Sequence, residues 1–144
     1  MRRAVLCLSL GLSGCLPIAV AAMYGVSERA KEPAVCASRD ECDAAWQKAI
    51  EWVAQRCAFK IRTQTESLVE TEGPQPAPSN DVACRLERIP GAEAGTAQLE
   101  LTATCGNWYG CTPDALYLKA AFNDEMRAAI AAARAPVAPN APPA

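Results

Sequence analysis

The sequence of 144 residues contains no histidine and has no surplus of basic residues. Without an imidazole, the chain cannot build a Ser-His-Asp triad, a Cys-His pair or a histidine-containing zinc site. Lys and Arg number 14 against 16 Asp and Glu, whereas a nucleic-acid-binding module shows a basic surplus or a basic stripe. The C-x-x-C spacing of zinc and redox sites is also missing. The composition therefore indicates no nucleic-acid partner, no cofactor and no metal site.

What the sequence does contain is an export signal at its N-terminus. Arg2 and Arg3 form a short positive region, and an uncharged, mostly apolar run follows over residues 4–26. This pattern is typical of a secretory signal. Two of the 14 basic residues lie in it, which leaves 12 basic against 16 acidic residues in the rest of the chain. An acidic balance of this kind does not fit a polybasic membrane-binding surface.

The export signal has three alternative endings. Leu-Ser-Gly-Cys at residues 12–15 resembles the lipobox of bacterial lipoproteins, in which cleavage precedes a cysteine that carries a diacylglycerol; the resemblance predicts lipidation of Cys15. Ala19 and Ala21 have the small-residue spacing of ordinary signal cleavage. The run could also stay as a membrane helix, for which roughly 20 apolar residues suffice. All three endings deliver the remaining chain outside the cytoplasm, and lipidation predicts an anchor on the periplasmic side of the outer membrane.

Six cysteines remain after the export signal, and an exported small domain with six cysteines is expected to form three disulfides. Fifteen pairings of six cysteines are open in principle. Two pairs are separated by only five residues each, and this local spacing favours bridges within them, which leaves the third pair. The predicted bridges are Cys36–Cys42, Cys57–Cys84 and Cys105–Cys111.

The periodicity of the sequence predicts a small α+β fold. Ser38 and Glu41 form a capping box at the start of an amphipathic helix over residues 39–56. Alternating patterns predict four strands, and Thr112 and Pro113 have the residue types of the first positions of a second helix that ends near Arg134. We expect an antiparallel four-stranded sheet with two helices on one face, in the order α-β-β-β-β-α, stapled by disulfides. The predicted strands are 58–64, 68–72, 82–87 and 97–105.

The predicted domain organisation follows from these elements. An export segment occupies residues 1–22 and a linker residues 23–35. The α+β domain covers residues 36–134, and a disordered tail rich in Pro and Ala covers residues 135–144.

Three segments together resemble a family of small cell-envelope lipoproteins of proteobacteria. They are the C-x5-C at residues 36–42 that leads into a Trp-bearing helix, the strand segments at residues 60–71, and the Cys-Gly-Asn-Trp-Tyr-Gly-Cys sequence at residues 105–111. The resemblance covers roughly residues 36–130, and its most specific part is the last segment. No activity is established for that family, so the resemblance implies an envelope location and an α+β fold.

The loop between Cys105 and Cys111 is the best candidate site. It carries Trp108 and Tyr109 between two cysteines that are expected to close it. A rigid loop presenting two large aromatic side chains is how a hot spot for a protein partner is built. The alternative is that one of the rings folds back on the last helix, and the solvent exposure of Trp108 distinguishes the two.

An enzymatic function is not expected. Without histidine, paired carboxylates would have to act as acid and base, and none of the available carboxylates has a recognisable motif around it. We expect a non-catalytic envelope protein that serves as a binding or structural module for another envelope component, such as an envelope protein. The alternative is a soluble, secreted, disulfide-rich effector or inhibitor. The carboxylates considered are Asp40, Asp43, Glu70, Glu87 and Glu100.

Overall fold

The computed structural model describes residues 25–74 and 78–135. The predicted export segment, the lipidation at Cys15 and the tail beyond residue 135 lie outside the described residues. Residues 25–31 are helical and belong to α1. The elements that follow are β1 (Ala34–Cys36), α2 (Arg39–Arg56), β2 (Ile61–Gln64), β3 (Leu68–Thr71), β4 (Ala83–Pro90), β5 (Ala97–Thr104) and α3 (Ala115–Arg134).

The sheet is antiparallel throughout and has five strands, in the order β1-β5-β4-β3-β2. The predicted count of four strands and the predicted element order were therefore wrong. The added strand, β1, pairs Ala34 with Leu99 and Cys36 with Ala97. Part of the segment 23–35, predicted as a linker, thus contributes to α1 and to an edge strand. Three residues are too few to show a strand period, which is why the pattern did not reveal β1.

The core lies between the inner face of the sheet and the two long helices. The inward side chains of β5 alternate with polar ones, so that Leu99 and Leu101 are fully buried. From the helices, Trp52 of α2 meets Phe122 of α3 edge to face, with ring centroids 5.2 Å apart and the planes at 75°. Because these residues belong to one hydrophobic cluster, both helices cover the same face of the sheet, as the sequence predicted.

The first turn of α2 has the predicted cap. Ser38 is the N-cap, and its Oγ accepts a hydrogen bond from the backbone N–H of Glu41 at 3.3 Å. Glu41 reaches back one residue further than predicted, because its Oε2 accepts from the backbone N–H of Ala37 at 2.9 Å. The Arg134 guanidinium at the end of α3 donates to both Glu41 oxygens, at 2.9 and 3.1 Å. This two-bond contact and the Ala37 N–H lower the pKa of Glu41 from its ordinary 4.5 to about 2.

Replacing Glu41 with Gln should remove one pH-dependent contribution to stability. Because the folded state lowers the pKa of Glu41 to about 2, its contribution is full above pH 4.5 and is lost as the pH falls through about 2. We expect wild type to be more stable than Glu41→Gln above pH 4.5, and the two to converge near pH 2. Thermal midpoints measured from pH 7 down to pH 2 test this. Glu66→Gln, an exposed change in the β2–β3 turn, serves as the control and should track wild type.

The start of α3 differs from the prediction. Its N-cap is Asp114, whose side chain accepts from the backbone N–H groups of Leu116 and Tyr117 at 3.0 Å each. Thr112 was the predicted cap, but its backbone N–H donates to the carbonyl oxygen of Asn80 at 2.8 Å. Because the side chain of Asp114 provides the cap, the helix begins at Ala115.

α1 packs against the middle of α3 through polar contacts. The side-chain amide of Asn123 donates to the backbone carbonyls of Arg29 and Ala30 at 2.8 and 3.3 Å. Arg29 also forms an ion pair with Asp124 at 2.7 Å, and Arg127 donates to the carbonyl of Glu32 at 2.8 Å. The last carbonyls of a helix lack partners within the helix, and α3 supplies them here.

Three cysteine pairs lie within bonding distance, and they are the three pairs that the spacing favours. Their Cα atoms are 5.2 Å apart in the 36–42 pair, 6.0 Å in the 57–84 pair and 5.4 Å in the 105–111 pair. Cys57 caps the C-terminus of α2 and Cys84 lies in β4, so this bridge joins a helix to the sheet. Three disulfides in a small domain are typical of an oxidising compartment.

No helix among residues 25–74 and 78–135 is both long and apolar enough to cross a bilayer.

Candidate aromatic binding surface

The loop between β5 and α3 is closed on itself by the bridge from Cys105 to Cys111. Inside the loop, Oδ1 of Asn107 accepts hydrogen bonds from the backbone N–H groups of Tyr109 and Gly110, at 2.9 and 3.0 Å. Gly110 has a φ of 117°, a conformation that side chains rarely adopt and that glycine accommodates. The bridge, the Asn107 side chain and the glycine together define the path of a five-residue turn.

The loop is also fastened to the chain that leads into β4. Gly106 N–H donates to the carbonyl of Ser79 at 3.0 Å, and the side-chain amide of Asn107 donates to the side chain of Asn80. Gly106 sits so close to this segment that an added Cβ would come within 3.0 Å of the Pro74 ring. The base of the loop is therefore packed, which leaves its tip to present the aromatic side chains.

The tip carries Trp108 and Tyr109, which are 83% and 77% exposed. Their rings stack on one another, with centroids 3.9 Å apart and the planes at 30°. Neither ring is folded back on α3, which was the alternative considered from sequence. The other two tryptophans, Trp46 and Trp52, are 4% and 3% exposed. Trp108 is thus the one tryptophan of the chain that faces solvent.

Two further exposed side chains lie close by in the sequence, on the first turn of α3. Leu116 is 44% exposed and Tyr117 is 60% exposed. We call Trp108, Tyr109, Leu116 and Tyr117 the aromatic surface. No charged residue occurs between Cys105 and the N-cap of α3. The sequence-based prediction did not include the two helix residues. The available signal was that both have large apolar side chains that lie off the buried stripe of α3.

Three of the five carboxylates considered for catalysis form ion pairs with arginines. Asp43 pairs with Arg88 at 2.8 Å, which ties α2 to β4. On the outer face of the sheet, Glu70 pairs with Arg62 at 2.8 Å and Glu87 with Arg85 at 2.9 Å. The hydrogen bond from Arg85 lowers the pKa of Glu87.

The two remaining carboxylates complete this description. Asp40 lies in the first turn of α2, where a carboxylate stabilises the helix dipole. Glu100 lies on β5 directly opposite Glu87 of β4, and it pairs with Lys119 of α3 at 3.2 Å. The mixed signs on the outer sheet face form ion pairs, as the sequence predicted. Glu87 and Glu100 are cross-strand neighbours, and each has its own basic partner, Arg85 and Lys119.

A separate open groove of about 870 Å³ lies between α2 and the turns that join β2 to β3 and β4 to β5. Its lining includes Trp46, Gln64 and the ion-paired side chains of Arg88 and Asp43. Trp46 is almost fully buried, so its ring offers little face for stacking. The groove is polar and balanced in charge, and it singles out no class of ligand.

Among residues 25–74 and 78–135, no three Cys, Asp or Glu side chains are arranged to hold a metal ion. Comparisons with protein-family profiles, curated protein sequences and solved structures found no match. Membership of the lipoprotein family that the sequence resembles therefore stays a prediction, and the function is inferred from the geometry.

Proposed function

We propose that this chain is an exported, non-catalytic protein of the bacterial cell envelope that binds another envelope component through its aromatic surface. In this proposal Cys15 carries a lipid that holds the chain on the periplasmic side of the outer membrane. The observation that supports a binding function is the exposure of Trp108 and Tyr109, 83% and 77%, on a loop held by a disulfide. Neither ring belongs to the hydrophobic core of the described fold.

The rigidity of the loop supports the same proposal. Binding costs about 0.5–1.5 kcal/mol for each flexible side chain that becomes immobilised. The stacked rings of Trp108 and Tyr109 are already ordered against each other, and the backbone below them is held by the side chain of Asn107. Less of that cost remains to be met on association, which is typical of the aromatic anchors at interface hot spots.

A soluble secreted effector or inhibitor is the second candidate. Three disulfides and a stiff, exposed loop are also features of small secreted proteins that act freely in solution. The two candidates differ in one covalent property, since the envelope protein carries a lipid at Cys15 and the effector has lost that residue by cleavage after Ala21.

The intact mass of the protein purified from its native source separates the two candidates. A mass that begins at Cys15 and includes a diacylglycerol and an acyl chain supports the anchored protein. A mass that begins after Ala21 contradicts the anchor and supports the soluble effector. Reduction should add about 2 Da per bridge, and hence about 6 Da for three bridges.

Photo-crosslinking in the native envelope tests the binding surface itself. We expect a photoreactive phenylalanine derivative in place of Trp108 to form an adduct in intact cells. The matched control is the same derivative in place of Glu51, whose side chain is 61% exposed on α2 and lies outside the aromatic surface. Equal yields at the two positions would contradict a specific role for the aromatic surface.

A further inference from the structure

The path of α1 shows which end of the molecule receives the chain from the N-terminus. Arg127 of α3 donates to the carbonyl of Glu32. Three residues earlier in both segments, Asp124 of α3 forms an ion pair with Arg29. Residue numbers therefore decrease together from Glu32 into α1 and from Arg127 along α3, which indicates that α1 runs in the same general direction as α3. The described end of α1, at Gly25, consequently points toward the start of α3.

The same register brings Gly25 close to the aromatic surface. Continuing the correspondence by four residues places Gly25 level with Ala120 of α3. Ala120 is buried, as is Ala30 of α1, and neither belongs to the main hydrophobic cluster, which fits a close approach of α1 along this part of α3. From Ala120 to Leu116 is one helical turn, about 6 Å at 1.5 Å per residue.

The sequence before Gly25 is the candidate anchor. It is uncharged back to Ala4, and Cys15 stands ten residues before Gly25. Ten residues span at most about 35 Å when fully extended. A lipid on Cys15 therefore limits how far this end of the domain can move from the bilayer, and a retained membrane helix would limit it more tightly. In both cases the end of the domain at Gly25 is tethered within about 35 Å of the bilayer.

The chemistry of the surface fits the boundary between lipid and water. Trp and Tyr are enriched at that boundary because each has an apolar ring and a polar group. The loop brings no charge that would have to be desolvated, since the first charged residue after Cys105 is Asp114. Among the four side chains of the surface there is no Lys or Arg, so the contact does not depend on anionic lipid.

The aromatic surface is small. An aromatic side chain buries at most roughly 250 Å², so a protein partner with a standard interface of about 800 Å² would have to contact residues beyond the three rings. A weak contact is enough at a membrane, because the anchor keeps the local concentration of the surface high.

We propose that the aromatic surface rests in the interfacial region of the membrane to which the N-terminal segment anchors the chain. The proposal deepens the proposed function and rests on its anchor: the envelope component bound is the bilayer surface. The anchor supplies the affinity, and the stacked pair of Trp108 and Tyr109 determines which side of the domain faces the lipid.

Trp108 provides the probe for testing this proposal, because the two other tryptophans are buried. The full mature protein is reconstituted into phosphatidylcholine vesicles, with and without bromine on the acyl chains, and vesicle flotation confirms the anchor. We expect brominated lipid to quench the fluorescence of Trp108. We also expect the acrylamide quenching constant to be at least about threefold lower than that of the protein without its anchor, measured in buffer without detergent. Trp108→Phe should float equally well and lose both effects.

Each other outcome overturns a defined part of the proposal. Protein that floats while Trp108 stays accessible to acrylamide overturns the membrane contact and leaves the anchored binding module standing. If Trp108 is accessible in pure lipid vesicles but shielded in membranes from the native source, a protein partner occupies the surface. Protein that does not float at all overturns the anchor, and with it both proposals.

Discussion

Phe122→Ala is expected to lower the free energy of unfolding by about 3–5 kcal/mol, which is the usual cost of removing a fully buried phenylalanine. The Phe122 side chain has no exposure to solvent. It lies where α2, α3 and the sheet meet. Its ring packs edge to face with Trp52 at a centroid distance of 5.2 Å. Truncation leaves a cavity that two rigid helices and a disulfide-bound sheet cannot easily collapse to fill.

Urea unfolding, monitored by the far-UV circular dichroism signal of the helices, measures the change in the free energy of unfolding. Phe122→Leu keeps most of the volume and should lose clearly less stability than Phe122→Ala. The matched surface control is Leu116→Ala on the same helix, which is 44% exposed and should change stability by no more than about 0.5 kcal/mol. Equal losses for Phe122→Ala and Leu116→Ala would show that the described core is not the stabilising one.

The parts of the fold that sequence predicted correctly are those with a long, regular pattern. β5 alternates apolar and polar residues over eight positions, so its inner face could be identified without knowing its neighbours. α2 has both a clear apolar stripe and a capping box, and it spans the predicted residues 39–56. In these elements local propensity and tertiary burial agree.

The parts that sequence missed depend on contacts between distant segments. β1 has three residues and is a strand because β5 offers its edge over Ala97–Leu99. α1 is held by side chains almost 100 residues away, among them Asn123 and Arg127. At the start of α3, Thr112 and Pro113 have suitable residue types, but Asp114 provides the cap and Thr112 N–H donates to the distant Asn80. No local pattern contains this information.

Only part of the aromatic surface could be predicted from the local sequence. The short spacing of Cys105 and Cys111 indicates a closed loop, and Trp108 and Tyr109 lie between them. Whether such rings pack inward is a tertiary question, which the ties from Gly106 and Asn107 to Ser79 and Asn80 answer. The inclusion of Tyr117 depends on where α3 begins, and that start was predicted two residues too early.

The double variant Cys57→Ala and Cys84→Ala is expected to lose about 3.5 kcal/mol, because this bridge closes the longest of the three loops. The two cysteines are 27 residues apart in sequence, against six in each of the other bridges. A six-residue separation yields only about 2.4 kcal/mol in the same chain-entropy relation. The bridge also holds the C-terminus of α2 on β4, and both sulfurs are buried, so truncation adds a small packing loss.

Urea unfolding of the three double-alanine variants gives the comparison. Removing Cys36–Cys42 is the matched control for loop length, since this pair is buried like the 57–84 pair but is separated by only six residues. Cys105–Cys111 has the same short separation and is half-buried. We expect the 57–84 variant to be the least stable, by about 1 kcal/mol relative to the 36–42 variant, with unchanged helix content at low urea. If the 57–84 and 36–42 variants unfold at the same urea concentration, the longest bridge contributes no more than a short one. The unfolded chain without the bridge then already keeps the end of α2 close to β4.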